Sequence, residues 1–223
     1  MGRKLKILLS LPRTIIFNLC YLPLHQAVKL PIWLAPNVRV RRLTKCSIKL
    51  KGNIRPFYVR IGYHEADGVD TYSAHTILDI HKGGKLVFNG DAHIGQGAIF
   101  VVKEDGVLTL GRHFAISGTT SIICSKAITF GDDVQLSWNS LIMDSDAHKI
   151  YDEDGRWINP PCDITIGNKI WIAANTNITK GALIGDNTIV ASNSLVNKQF
   201  AGDNNILAGC PAKIVKHIGH FNI

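Results

Sequence analysis

The greatest density of ionisable side chains in this sequence lies in one short stretch. It begins Asp144-Ser145-Asp146-Ala147-His148 and continues with Asp152, Asp154 and Arg156. A histidine titrates near neutral pH, so His148 is suited to act as a general base that removes a proton from a hydroxyl group. Asp144 or Asp146 would orient the imidazole and stabilise its charged form. The stretch predicts a site for acid–base chemistry, and the sequence leaves open which carboxylate assists.

Two other interpretations fit the same residue types. Asp-x-Asp-x-His is also typical of a solvated turn, and carboxylates with a histidine two residues away can bind a divalent ion. A catalytic metal site would need further ligands. The other histidines form no second cluster in the sequence, and they are His25, His64, His75, His81, His93, His113, His217 and His220. We therefore expect no metal.

A six-residue period follows this stretch and defines the elements that must position it. Aliphatic residues recur without a break at Ile166, Ile172, Ile178, Ile184, Val190 and Val196. Neither a helix nor an ordinary strand has this period. Midway between successive aliphatics stand Lys169, Asn175, Gly181, Asn187 and Asn193. All of these except the lysine readily adopt left-handed backbone angles. The pattern predicts coils of three short strands joined by tight corners, stacked roughly 4.8 Å apart.

The same register runs upstream in shorter tracts, at Phe88, Ile94 and Phe100, at Leu110, Ile116 and Ile122, and at Phe130, Leu136 and Ile142. Slips between the tracts predict bulges or small loops near residues 101–109 and 125–129. Between Ile142 and Ile166 the chain takes 24 residues where six would suffice, so residues 143–163 are expected to project as a loop. Residues 45–85 show weaker alternation, and form either imperfect first coils or a small separate sheet.

Composition favours one folded domain, because 46% of the residues are apolar. The five scattered cysteines indicate free thiols in a reducing cytoplasm. A formal net charge of +8 favours anionic partners, and about half of the positive charge lies in the first 60 residues. No nucleic-acid-binding motif accompanies it, so we expect no nucleic-acid partner.

The predicted organisation has three parts: a basic apolar segment over residues 1–44, a coiled domain over 45–218 and a tail over 219–223. Prolines at 12, 23, 31 and 36 interrupt the first segment, which excludes a membrane-spanning helix. No small-residue cleavage site follows its apolar core, which argues against a secretory signal peptide. The segment is either a helical cap on the domain or an amphipathic contact with the inner membrane surface.

The repeat, together with Gly209-Cys210-Pro211-Ala212-Lys213 after it, resembles the hexapeptide-repeat acyltransferases, in particular bacterial sugar and polysaccharide O-acetyltransferases. The resemblance covers about residues 84–218. It implies an all-β fold, a left-handed parallel β-helix, and acetyl-CoA as co-substrate. It also implies that His148 is the general base, with one residue inserted relative to the family pattern, and that Ser117 stands where galactoside-type enzymes have an asparagine that stabilises the oxyanion.

For the donor, the resemblance implies a CoA groove formed by Trp171, Ala173, Ala174, Ser192, Lys198, Lys213 and Lys216. Trp138 and the adjacent Asn139 are expected to contact the acceptor, the indole by stacking on a sugar ring, although packing beneath the loop would explain Trp138 equally well.

The predicted activity is direct transfer of an acetyl group from acetyl-CoA to a hydroxyl of a sugar or cell-surface glycan. No cysteine adjoins a histidine in the loop, which disfavours a covalent acyl-enzyme. The alternatives are a noncatalytic β-helix scaffold at the membrane and an N-acetyltransferase of an amino sugar.

Counting faces from Leu110 places Ser117, Trp171 and Ala173 on the second face of the coil, whereas the loop that carries His148 leaves after the third. A cyclic trimer would bring His148 of one chain to Trp171 and Ser117 of the next. We therefore predict a homotrimer, cytoplasmic or peripheral to the inner membrane.

Overall fold

The structure is a computed structural model that describes residues 3–63 and 74–222, with side chains from Leu9 onward. His64 and residues 65–73 of the weakly patterned stretch lie outside the described residues, as do the first two residues and the last. The described strands form three sheets that run the length of the molecule. We refer to them as the first, second and third sheets.

In the first sheet, nine strands stack in the order β1 (Ile32–Leu34), β4 (Val59–Ile61), β7 (Ala92–Ile94), β10 (Phe114–Ile116), β13 (Val134–Leu136), β16 (Ile170–Ile172), β19 (Thr188–Val190), β22 (Asn205–Gly209) and β23 (Ala212–His217). The second sheet has seven strands, β2 (Val38–Arg42), β5 (Thr76–Ile80), β8 (Ile99–Val102), β11 (Ser121–Cys124), β14 (Leu141–Met143), β17 (Asn177–Thr179) and β20 (Leu195–Val196). The third also has seven, β3 (Ile48–Leu50), β6 (Lys85–Phe88), β9 (Val107–Leu110), β12 (Ala127–Phe130), β15 (Ile164–Ile166), β18 (Leu183–Ile184) and β21 (Gln199–Phe200).

Every third strand returns to the same sheet and pairs in parallel with the strand below it, so the chain winds into a three-sided prism. The aliphatic residues of the six-residue period point into this prism, where each is at most 1% exposed. Lys169, Asn175, Gly181, Asn187 and Asn193 all have positive φ, which confirms the predicted corner positions. Stacking of coils buries a continuous apolar core that a single coil lacks.

The prism starts earlier than the sequence pattern indicates. Strands β1 and β2 lie before residue 45, where the coiled domain was predicted to begin, and they pair with β4 and β5 in coil register. Strands β3 to β5 belong to the same sheets, so the stretch after residue 45 forms first coils and not a separate sheet. The six-residue period fails here because the connections between these strands are longer and unequal, although their inward residues are buried like the later ones.

Two helices, α1 (Arg3–Tyr21) and α2 (Leu24–Ala27), cover the N-terminal end of the prism. Strand β1 is the edge of the first sheet, and α1 satisfies its backbone through two buried side chains. Asn18 accepts from Ile32 N at 3.1 Å and donates to Ile32 O at 2.7 Å, while Thr14 Oγ1 accepts from Leu34 N at 3.2 Å. The helix therefore caps a sheet edge that would otherwise present unpaired backbone groups. Among the described residues, no helix is long and apolar enough to cross a membrane.

The opposite end is closed by the hairpin of β22 and β23, which is antiparallel. The long connection between β14 and β15 leaves the prism at the corner between the second and third sheets. It forms a short hairpin of its own, with a bridge between Tyr151 and Trp157 and a backbone hydrogen bond from Ile158 N to Ile150 O at 2.9 Å. We call residues 144–163 the hairpin loop.

Candidate functional site

The hairpin loop begins at Asp144, whose side chain is completely buried. Its carboxylate accepts hydrogen bonds from Ser125 N at 2.7 Å and Lys126 N at 2.8 Å, and the Cys124 thiol donates to it at 3.7 Å. Burial, with the Asp144 charge as a lesser cause, raises the pKa of Cys124 to about 12. Asp144 thus anchors the chain at the corner where the loop departs, and the structure does not place it on the pocket wall beside His148.

Asp146 has different surroundings. Its carboxylate forms an ion pair with Lys180 and accepts a hydrogen bond from Asn159 Nδ2 at 2.9 Å. The lysine contact, followed by that of the amide, lowers the pKa of Asp146 below its ordinary value. The Asp146 side chain thus connects the start of the loop to Asn159, near the end of the loop, and to Lys180, which follows β17.

His148 lies one turn further on, where its backbone N donates to Asp146 O at 2.7 Å. Its imidazole is exposed, and it makes no hydrogen bond or ion pair with any residue that the structure describes. It faces an open pocket of about 260 Å³ between the loop and the second sheet, lined by Lys103, Ile123, Ser125, Ser145, Asp146, Ala147, His148, Lys149, Trp157, Asn159 and Pro161. An unpartnered imidazole in a pocket is free to accept a proton from a bound molecule.

Asn159 holds this arrangement together and was missed in the sequence. Its Nδ2 donates to Asp146 and to His148 O, each at 2.9 Å, and its Oδ1 accepts from Ile150 N at 2.6 Å and Trp157 Nε1 at 2.8 Å. The residue is 8% exposed although the surrounding loop is mostly in solvent. No sequence pattern marks it, because its partners meet only once the hairpin has folded.

Trp157 is a second unpredicted feature of the pocket. Its indole is 41% exposed, and the ammonium of Lys149 lies 4.6 Å from the ring centroid. An exposed indole fixed by a hydrogen bond to Asn159 offers a flat apolar surface of the kind on which sugar rings stack.

A second group of candidate residues stacks along the corner between the first and second sheets. These residues lie within three positions after the ends of β10, β13, β16 and β19, and they are Ser117, Trp138, Asn139, Ala173, Ala174 and Ser192. Trp171, in β16 beside this corner, is 41% exposed and donates from its indole to Ser137 Oγ at 3.3 Å. Asn139 Oδ1 accepts from Thr119 Oγ1 at 2.7 Å. We call this row of residues, together with Trp171, the indole corner.

Three predicted CoA contacts lie elsewhere. Lys198 follows β20, at the corner of the hairpin loop, where its ammonium lies 5.3 Å from the Phe200 ring. Lys213 and Lys216 are exposed on β23, at the end of the first sheet. The predicted donor groove is therefore spread over two corners and one end within a single chain.

One chain does not bring its two candidate regions together. His148 belongs to the corner between the second and third sheets, whereas Ser117 and Trp171 belong to the indole corner. The width of the second sheet separates these corners, as the count of faces predicts. Within the described ranges, no cluster of three or more His, Cys, Asp or Glu side chains is arranged to hold a metal ion.

Comparison with known proteins supplies the class of fold. No protein-family model matches the chain. The crystal structure of the polySia-specific acetyltransferase NeuO superposes with a TM-score of 0.57 over 86% of this chain and 89% of that one, at 20% sequence identity. A galactoside acetyltransferase in complex with coenzyme A superposes with a TM-score of 0.50 over 60% of this chain and 64% of that one, at 25% identity. The prism is the left-handed parallel β-helix.

Sequence relatives of the chain are acetyltransferases. The chain is 30% identical to the galactoside O-acetyltransferase of Escherichia coli K12 over 112 residues, 49% of this chain and 53% of that protein, so it spans about half the length of this relative. It is 24% identical to the putative lipopolysaccharide biosynthesis O-acetyl transferase WbbJ of the same organism, over 63% of this chain and 76% of that protein. The fold and the repeat are those of the hexapeptide-repeat acyltransferases, and the sequence relatives are O-acetyltransferases of that family.

Proposed function

We propose that this protein transfers an acetyl group from acetyl-CoA to a hydroxyl group of a sugar or glycan, with His148 as the general base. The observation that carries the proposal is the position of the His148 imidazole, which is exposed in the pocket under the hairpin loop and has no partner within the described chain. A base left unpaired in a pocket is available to a bound acceptor.

In the proposed reaction, the imidazole accepts the hydroxyl proton while the hydroxyl oxygen attacks the thioester carbonyl of acetyl-CoA. The tetrahedral intermediate then collapses, the carbon–sulfur bond breaks, and the CoA thiolate takes the proton from the imidazolium. Ser117, or a backbone N–H at the indole corner, would stabilise the oxyanion. Asp146 is paired with Lys180, so it holds the loop and acts on the imidazole only through the backbone.

The donor would lie along the indole corner. Small residues there, Ala173 and Ala174, leave room for an extended arm against the backbone, and the Trp171 indole forms an apolar wall. Lys213 and Lys216 at the exposed end would meet phosphates as point charges. The solved galactoside acetyltransferase structure, which contains coenzyme A, supports acetyl-CoA as co-substrate.

The acceptor would lie in the pocket beside His148, with Trp157 available for stacking on a sugar ring. The relatives named above include a galactoside and a lipopolysaccharide-biosynthesis O-acetyltransferase, which supports a carbohydrate hydroxyl as the acceptor class. Trp138 and Asn139 would contact the acceptor only if it reaches the indole corner of a neighbouring chain.

A homotrimer completes the proposed site. Most outward side chains of the second sheet, between the two candidate corners, are apolar and half-buried. These apolar residues are Ile77, Ile99, Val101, Ile123, Leu141, Met143 and Leu195. A face of this kind favours contact with another copy. Packing around a threefold axis would set the hairpin loop of one chain against the indole corner of the next.

The direct test is the His148→Ala variant, assayed with acetyl-CoA and a panel of galactosides and bacterial glycans. We expect turnover to fall at least about a hundredfold while the acetyl-CoA dissociation constant changes less than about twofold, because a base is removed and no donor contact is lost. His25→Ala, an exposed histidine of α2, is the matched control and keeps full turnover.

Unchanged turnover in His148→Ala would refute the assignment of the base. If calorimetry shows no acetyl-CoA binding to the unmodified protein, the chain is a noncatalytic scaffold. Acetylation of amino sugars with none on hydroxyl acceptors would assign it to N-acetyl transfer.

A further inference from the structure

Helix α1 has two faces with different surroundings. One face is buried against the first coil through Ser10, Thr14, Phe17 and Asn18, which are at most 4% exposed. The hydrogen bonds of Thr14 and Asn18 to β1 fix the helix in this orientation. Its other face is therefore held outward at the N-terminal end of the prism.

The outward face is apolar. Four large side chains of α1 and two in and beside α2 stand in solvent, and they are Leu9 at 59% exposure, Ile15 at 37%, Ile16 at 62%, Leu19 at 48%, Leu24 at 70% and Val28 at 66%. We call these six residues the apolar end. Contiguous exposed apolar residues at one place on a folded protein indicate a contact surface.

The surroundings of the apolar end are strongly basic. Residues 1–63 contain 13 of the 25 Lys and Arg residues and none of the 17 Asp and Glu residues. Lys29 directly follows Val28, and Arg39, Arg41, Lys45, Lys49 and Lys51 are exposed on the first coil. Among the described Lys and Arg residues of this segment, only Arg42 forms an ion pair, with Asp79. The rest of the chain carries a net negative charge, so the molecule is electrically polar along its axis.

From this combination we propose that the N-terminal end of the prism docks on the surface of an anionic lipid bilayer, with the apolar end inserted among the headgroups. Such a surface offers both an apolar layer for Leu, Ile and Val side chains and negative charge for the lysines and arginines. A second copy is disfavoured as the occupant, because its own basic end would be brought against this one. A nucleic acid is disfavoured because it offers nothing to six apolar side chains.

The test is co-sedimentation of the full chain with vesicles of phosphatidylcholine alone, or with about 30% phosphatidylglycerol added. We expect binding to the anionic vesicles to be at least about tenfold stronger than to the neutral ones, and to weaken when the salt is raised from about 0.1 M to about 0.5 M. Equal binding to both vesicles, or binding to neither, would overturn the proposal without any variant being needed.

The variant arm uses Ile16→Ser with Leu24→Ser, compared with Ile214→Ser plus Val215→Ser at the opposite end of the prism. Ile16 and Val215 are matched in exposure, at 62% and 60%. We expect the first pair to weaken anionic-vesicle binding by about tenfold or more and the second pair to leave it unchanged, with the melting temperature recorded for both. Equal loss in both pairs contradicts docking through the apolar end. If the protein does not bind vesicles but self-associates, and Ile16→Ser abolishes the self-association, the apolar end is a contact surface for a second copy.

Discussion

The ion pair of Asp79 and Arg42 shows what a single buried carboxylate contributes to this fold. Asp79 lies in β5 and is 2% exposed, and Arg42 Nε and Nη2 donate to its two oxygens at 2.6 and 2.7 Å. The Arg42 hydrogen bonds, opposed in part by burial, lower the pKa of Asp79 below its ordinary value. The pair joins the first coil to the second, across β2 and β5.

We predict that Asp79→Asn lowers the free energy of unfolding by about 1–3 kcal/mol at neutral pH, because a charge-assisted pair of hydrogen bonds is weakened. The pKa is depressed in the folded state, so this stabilisation is complete above the unfolded-state pKa and is lost as pH falls through the folded-state value. Urea unfolding of both proteins should therefore show a constant gap above about pH 5 that narrows below about pH 4.

The control for this residue-scale prediction is Asp133→Asn, at an exposed corner position. It should leave the free energy of unfolding within about 0.5 kcal/mol of the unmodified protein at every pH. A gap between Asp79→Asn and the unmodified protein that widens on acidification would contradict the assignment.

At the scale of elements, the Asn159 side chain makes four hydrogen bonds to residues of the hairpin loop, more than any carboxylate of that loop makes. We predict that Asn159→Ala lowers kcat by at least about tenfold while the KM for acetyl-CoA stays within about twofold, because the His148 backbone loses its tether and no donor contact changes. Asn53→Ala, at an exposed site far from the loop, is the matched control. A fall in kcat/KM that arises entirely from a higher KM for acetyl-CoA would show that Asn159 does not position the base.

The elements also show what the sequence can and cannot predict. Residues 166–196 follow the six-residue period because each coil there uses the same short corner, so both the inward residues and the positive-φ positions were predictable. The coil strands before residue 45 were not predicted, and the stretch after it stayed ambiguous, because the connections between these strands differ in length. The surroundings of Asp144 were not predictable, since acidity in a loop does not distinguish a carboxylate that caps a corner from one that faces a pocket.

At the scale of the whole molecule, the two candidate corners require a neighbour if they form one site. The prediction uses two inactive variants, His148→Ala and Trp171→Glu, unfolded together and reassembled at equal amounts. In a cyclic trimer with shared sites, about a quarter of the sites pair an intact His148 with an intact Trp171 of the next chain. Activity near that fraction is expected in the acetyl-transfer assay.

Each variant refolded alone is the control and should remain inactive. Absence of recovered activity at every mixing ratio, with mass measurement showing that mixed trimers formed, would place the whole site within one chain. A monomeric mass for the unmodified protein would exclude the shared site directly.

The regular stacking of coils also fixes the distance of each corner from the N-terminal end of the prism. The hairpin loop leaves after β14, four strands above β2 in the second sheet. At about 4.8 Å per step, the proposed acceptor pocket would stand about 20 Å above a bilayer on which the N-terminal end rests. A lipid-linked glycan would then be modified only at sugars several units away from its anchor. The number of coils between the hairpin loop and the N-terminal end would thus set how many sugars next to the lipid anchor stay unmodified.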